Sequence, residues 1–254
     1  MARAKQVADE EIWRSIVAPH DPARGVIAEE LAAQIQLLII SEGLEEGTRL
    51  PSERDLATWL STSRPTVSQA IRVLVVRGLI ESRRGSGAYV RRRPEISLAA
   101  SVDLMLNLNQ ESVPHLSTLR LLLETAGVDL AITTGTAADF DEAAEALEAL
   151  RDAAGDTAAW MSADTRFHAA LVRASGNPYL YSIYESVHTT LVDYEYRDWV
   201  ERGDVPHWLR PAQATAQFEL HEPILRAVRA GDRTAANAAV LHHHGVMAEH
   251  LDPV

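Results

Sequence analysis

The chain has 254 residues, 46% of them hydrophobic and 24% charged, and a formal net charge of −12. It contains no cysteine, which excludes disulfides and thiolate metal ligands and fits a reducing compartment. No apolar run approaches the ~18 residues of a membrane span, and the opening MARAKQVADEEIWRSIV lacks the unbroken apolar stretch of a secretion signal. A cytoplasmic protein without membrane contact is expected.

The acidic total hides a polarity along the chain. Residues 1–93 carry 14 basic and 12 acidic side chains, a net of +2, whereas residues 94–254 carry 10 and 24, a net of −14. Residues 64–93 alone hold eight Arg and one acid, Glu81, a net of +7. Such a stretch binds phosphates while the remote acidic bulk keeps the molecule in solution. Charge by itself fits a solvated basic face equally well.

Residues 1–23 read as an N-terminal arm. Ile27, Leu31, Ile35 and Leu38 then recur at helical spacing and Gly43 ends the element. Ser52 is placed to cap a second helix, with Asp55 at capping-box distance and Leu56 and Leu60 turned inward. After Ser61-Thr62-Ser63, a third helix is expected over Arg64–Val76, capped by Ser63 and with Pro65 in its first turn. Val67, Ile71, Leu74 and Val75 form its apolar face, leaving Ser68, Gln69 and Arg72 off it. The period then changes, and residues 79–84 and 88–91 read as two short strands joined by Gly85-Ser86-Gly87. Three helices and a basic hairpin over residues 24–93 make a winged helix-turn-helix.

Residues 94–100 read as a linker. Beyond it the periodicity is helical throughout, with helices near 101–107, 112–134, 139–153, 157–174, 178–201, 212–230 and 233–250. Asn177-Pro178 starts one of them and Gly231-Asp232 separates the last two. The expected fold is therefore mainly α: an N-terminal winged helix-turn-helix, and an all-α helical bundle over 101–254.

The run GTRLPSERDLATWLSTSRPTVSQAIRVLVVRGLIESRRGSGAYV, from Gly47 to Val90, resembles the GntR family of bacterial transcription regulators over more than forty residues. The resemblance implies that the helix opening at Ser63-Arg64 enters the major groove of an operator duplex and that the Gly85–Gly87 wing enters the minor groove. It makes Arg54 a phosphate or base contact and Arg64 a reader of guanine through bidentate bonds. The DNA-contacting set is then Arg54, Ser63, Arg64, Thr66, Ser68 and Gln69, with Arg84, Gly85 and Gly87 in the wing. Many members of the family have Arg where this chain has Ser68 and Glu where it has Gln69. An altered operator is expected, with Gln69 available to adenine. For Arg77 and Arg91 a solvated charge is the plainer reading.

In the second half, DTRFHAALVRASGN (164–177) and the register from His221 to His243 resemble the FCD ligand domain of the fatty-acid-regulator subgroup, roughly over residues 101–250. The resemblance implies that Asp164, His168, His221 and His243 bind a divalent metal inside a helical bundle. One carboxylate and three imidazoles suit zinc first, and nickel or another transition metal next. Singly, each His is more often a partly exposed helix residue. His242 and His244 flank His243 by about 100° of rotation and are expected to point elsewhere. His20, His115, His188, His207 and His250 are left out as well.

Arg120 matches an Arg of the subgroup that faces the pocket, where it would clamp an effector carboxylate. The plain alternative is an ion pair with Glu124 one turn on. Trp199 is a candidate aromatic wall for the same pocket. The implied function is a homodimeric, sequence-specific transcription regulator, a repressor, released from its operator by a sugar acid, hydroxy acid or similar small organic acid. The competing reading is a metal-dependent hydrolase or lyase with an appended DNA-binding head. Against it, no separate general base stands at a recognisable spacing.

Overall fold

The structure, a computed structural model, describes residues 10–14, 27–93, 95–109 and 111–251. The chain divides into two compact units between Ser97 and Leu98.

In the first unit, α1 (Glu10–Arg14) is followed by α2 (Ala28–Ser41), α3 (Glu53–Trp59) and α4 (Arg64–Val76). A hairpin of β1 (Ile80–Arg83) and β2 (Gly87–Val90) comes next, paired antiparallel from Ile80↔Val90 to Arg83↔Gly87. Leu31, Ile35, Leu56, Val67, Leu74 and Val90 fill the core between them. The expected caps form: Ser52 accepts from the Asp55 amide and Ser63 from the Thr66 amide, each satisfying a donor the helix leaves free. The described part of the expected arm is packed on this unit. Trp13 of α1 is fully buried in this core, whereas residues 1–9 and 15–23 lie outside the described residues.

The second unit is helical among its described residues. Its elements are α5 (Glu95–Leu108), whose first three residues precede the division, then α6 (Ser112–Thr134), α7 (Ala137–Asp152), α8 (Thr157–Arg173), α9 (Pro178–Arg202), α10 (Ala214–Ala230) and α11 (Arg233–Leu251). Single 3-10 turns at His207–Leu209 and Pro211–Gln213 precede α10. The segment expected as a linker over 94–100 is helical from Glu95, because Ile96, Leu98, Ala99 and Ala100 sustain a helix and Glu95 complements its N-terminal dipole. Helix α7 starts two residues earlier than its periodicity suggests. Thr136 and Asp139 close a capping box there, with the Thr136 amide donating to Asp139 Oδ2 at 2.8 Å.

α8 lies at the centre of this unit, packed against α6, α7 and α9, while α10 and α11 pack on each other and on α6. Phe167, Leu171, Ile224, Val228 and Val240 are among the side chains buried between them. Gly127 lets α6 and α8 approach closely: a Cβ there would stand 2.8 Å from Val172 Cγ1, inside van der Waals contact. That approach brings Glu124, one turn before Gly127, against His168 of α8.

Candidate functional site

In the first unit the solvent-facing side of α4 carries Arg64, Gln69 and Arg72, all exposed, with Ser68 half-buried. Ser63 Oγ and Thr66 Oγ1 lie 2.7 Å apart at the helix N-terminus, so these two hydroxyls close the cap beside Arg64. Gly85 and Gly87 hold positive φ angles of 74° and 114°, which the tight wing turn requires and side-chain-bearing residues resist. Arg54 and Arg84 are exposed.

The basic stretch is not uniformly available to a partner. Arg83 pairs with Glu81 at 3.1 Å and lies over the Tyr89 ring. Arg91 sits between Glu81 at 3.3 Å and Glu46 at 3.6 Å, and Arg77 donates to Gln36. Arg64, Arg72 and Arg84 stay in solvent. Arg49, which no local sequence signal singles out, places its guanidinium against the wing at Gly87.

In the second unit three helices bring four side chains into one buried cluster. α8 supplies Asp164 and His168, four residues apart on one face, α10 supplies His221 and α11 supplies His243. One ligand atom from each of the four lies within 4.8 Å of all the others, and all four residues are buried. His221 Nε2 is 3.0 Å from Asp164 Oδ1 and 3.0 Å from His243 Nε2, and His168 Nε2 is 3.6 Å from the same Asp164 oxygen.

The outer hydrogen bonds decide what these atoms can do. His221 Nδ1 donates to the Gln217 carbonyl at 2.7 Å, which leaves a lone pair on Nε2 of the neutral ring. His168 Nδ1 donates to Glu124 Oε1 at 2.6 Å, which does the same for its Nε2. Acceptors therefore face acceptors: the His221 lone pair meets the Asp164 carboxylate, and His168 Nε2 is buried without a hydrogen-bond partner among the described residues. Only a positive centre, a proton or a metal cation, satisfies such a set. The residues fit a divalent ion in number, type and tautomer.

Electrostatics point the same way. Burial opposes ionisation of Asp164, but His168, followed by hydrogen bonds with His188 and His221, holds its carboxyl well below the usual range. Glu124 is likewise held ionised against burial by His168 and His244. Burial disfavours a charged His168, yet Glu124 and Asp164 on either side raise it to about 10.

Behind the cluster lies a buried polar shell that the sequence did not disclose. Glu124 accepts from His168, from His244 Nε2 at 2.8 Å and from the Tyr184 hydroxyl at 3.1 Å. The pairing foreseen between Arg120 and Glu124 is thus replaced by these three partners. His188 Nε2 stands 3.4 Å from Asp164 Oδ2, and His188 Nδ1 is 3.2 Å from the Tyr184 oxygen. His242 is exposed, as its rotation predicts, whereas His244 is buried. Its Nε2 bonds Glu124, which ties it to His168 of the four-residue cluster.

A cavity of about 10 Å³, room for one water, adjoins the cluster and is lined by Asp164, His243, Arg120, Glu195, Trp160 and Tyr196. Arg120 is 8% exposed and its Nε has no hydrogen-bond partner among the described residues. Trp199 does not line this cavity. Its ring packs against Tyr196 and Trp208 and borders an outer opening of about 620 Å³.

Comparison with known proteins assigns both units. The profile of bacterial regulatory proteins of the gntR family matches residues 27–90, and that of the FCD domain matches residues 115–246. The chain belongs to the GntR family. Among its relatives, the HTH-type transcriptional regulator LutR of Bacillus subtilis is 31% identical over 202 residues, covering 79% of this chain and 90% of that protein. The HTH-type transcriptional repressor NanR of Citrobacter rodentium is 28% identical over 226 residues, 87% of this chain and 84% of that one. In structure, a GntR protein of Streptococcus agalactiae superposes with a TM-score of 0.66 at 25% identity, over 88% of this chain and all of that one. This GntR protein is a DNA-binding transcription regulator with an FCD effector domain, and the kinship with regulators sets aside the hydrolase or lyase reading.

Proposed function

We propose that this GntR regulator is a homodimeric repressor whose operator affinity falls when a small organic acid binds beside a divalent metal. The reading rests chiefly on one observation: the acid-plus-imidazole cluster of Asp164, His168, His221 and His243 adjoins the buried, unpartnered Arg120. The four residues would hold the ion, zinc first and nickel or another transition metal next. The ion would supply a Lewis-acidic point for an effector carboxylate. Arg120 presents a planar, permanently charged fork to the same carboxylate, and Glu124 and Gln217 keep His168 and His221 in the metal-binding tautomer.

On the DNA side the reading uses Arg54, Ser63, Arg64, Thr66, Ser68 and Gln69 for the operator's major groove and flanking phosphates, with Arg84, Gly85 and Gly87 in the minor groove. Trp199 has a weaker claim on the effector, because it borders the outer opening and not the cavity beside the cluster. Dimerisation is supported by apolar side chains left in solvent on one face of each of two helices, Leu104 and Leu108 on α5, and Leu119 and Leu122 on α6. The site of action is the cytoplasm, where an operator is met. Among the described residues no helix is long and apolar enough to cross a membrane.

Arg120→Gln tests the effector reading. The variant is expected to keep the metal content and melting behaviour of the parent. Its affinity for sugar acids and hydroxy acids, read by isothermal calorimetry, should fall about 10- to 100-fold, the worth of a lost charge-assisted hydrogen bond. An unchanged acid affinity would remove Arg120 from the effector site.

A further inference from the structure

The wing of the first unit is not built by β1 and β2 alone. Residues 47–50 run beside β2: the Gly47 amide donates to the Val90 carbonyl at 2.8 Å, the Val90 amide to the Thr48 carbonyl at 2.8 Å, and the Leu50 amide to the Ala88 carbonyl at 2.9 Å. Arg49 is thereby set opposite Tyr89, whose hydroxyl bonds Ser86 and ties down the wing turn. From this fixed backbone the exposed Arg49 side chain reaches Gly87, where its Nε and Nη2 lie 3.4 and 3.6 Å from the place a Cβ would occupy. The missing side chain at Gly87 is what lets the cation lie against the wing. Acids claim most of the neighbouring cations: Arg83 and Arg91 pair with Glu81, and Arg93 with Glu46 at 3.9 Å. Arg49 pairs with no acid among the described residues.

We propose that Arg49 enters the minor groove together with the Gly85–Gly87 wing and makes the operator prefer A·T pairs at that point. This rests on the placement of the wing proposed above and deepens it. The minor groove of B-DNA is about 6 Å wide, so an element that enters it must be narrow. A guanidinium held against a glycine meets that requirement. A·T pairs present only acceptors there, adenine N3 and thymine O2, to which guanidinium N–H groups donate. G·C pairs add the guanine N2 amino group, a donor that opposes them. Runs of A·T also narrow the groove and deepen its negative potential, which draws arginine in. A lysine ammonium is more strongly hydrated and offers no planar fork, so it is the poorer occupant.

The test uses the full chain and an operator duplex that the parent protein selects from random-sequence DNA, with binding read by fluorescence anisotropy. Each A·T pair is replaced in turn by G·C and by inosine·cytosine. Inosine lacks the N2 amino group, so its pair resembles A·T in the minor groove and G·C in the major groove. At the wing position G·C should weaken the parent about 10-fold, the worth of one wrong base pair, while inosine·cytosine leaves it unchanged. Arg49→Ala should bind the A·T and G·C duplexes alike, at about the parent's affinity for the G·C duplex, with an unchanged melting temperature. Arg49→Lys should keep the parent's salt dependence and lose most of the discrimination. A G·C penalty that persists in Arg49→Ala overturns the role of Arg49 and leaves the wing in the groove. If inosine·cytosine harms the parent as much as G·C at every sensitive pair, or if no A·T pair is sensitive, the placement of the wing fails and Arg49 with it.

Discussion

His168→Ala protein is expected to purify with far less than one metal ion per chain by elemental analysis, while the parent holds close to one. The imidazole removed is a proposed ligand whose Nδ1 is already tied to Glu124 at 2.6 Å and whose Nε2 has no hydrogen-bond partner among the described residues. Its loss also leaves the Glu124 and Asp164 carboxylates facing each other without the group between them, so the variant should melt well below the parent. Glu124→Gln is the finer instrument. It leaves all four proposed ligands in place but disturbs the tautomer of His168, and metal affinity should fall about 10- to 100-fold, the usual cost of losing a hydrogen bond behind a ligand.

The sign of the pH dependence follows from the same geometry. In metal-free protein His168 keeps its proton up to about 10, so at neutral pH an incoming ion must displace that proton. Metal uptake should therefore release protons, and apparent affinity should climb as pH rises towards 10. Parent-like metal content in His168→Ala would remove the residue from the site.

Arg64→Ala should lower operator affinity about 10- to 100-fold, consistent with ~1–3 kcal/mol for a bidentate contact to guanine, and should relax sequence preference at one base position. The side chain is exposed at the first residue of α4, beside a cap formed by Ser63 and Thr66, so its removal disturbs no core contact. Melting temperature and metal content should stay at parent values. Arg72→Ala gives the contrast: eight residues further along the helix, it should weaken binding evenly across sequences and reduce the salt dependence, the mark of a phosphate contact. Retained operator specificity in Arg64→Ala would place the reading head elsewhere.

Local signals carried much of this molecule. Ser52, Ser63 and Asn177 announce helix starts by hydrogen-bonding chemistry that acts within three residues, and α3, α4 and α9 begin where those residues stand. The i, i+4 spacing of Asp164 and His168 is equally local. The polar shell is not. Glu124 meets His168, Tyr184 and His244 across separations of 44, 60 and 120 residues, and no periodicity within α6 names those partners. Helical rotation alone separates His244 from His243 by about 100°. α11, however, packs against both α10 and α6, so its buried arc is wide enough to take in both residues. In the segment 94–100 a proline followed by a mixed stretch looks like a joint, yet Ile96 to Ala100 are adequate helix formers and α5 runs through them.

One dependency links effector to operator: an acid should alter DNA binding only where a metal is held by α8, α10 and α11. Fluorescence anisotropy on labelled operator measures it directly, comparing metal-loaded with chelator-treated protein, each with and without gluconate or glycerate. The expected result is an operator affinity that drops about 10-fold or more on adding the acid to metal-loaded protein and does not move in the stripped sample. Equal responses in the two samples, or none in either, would contradict it.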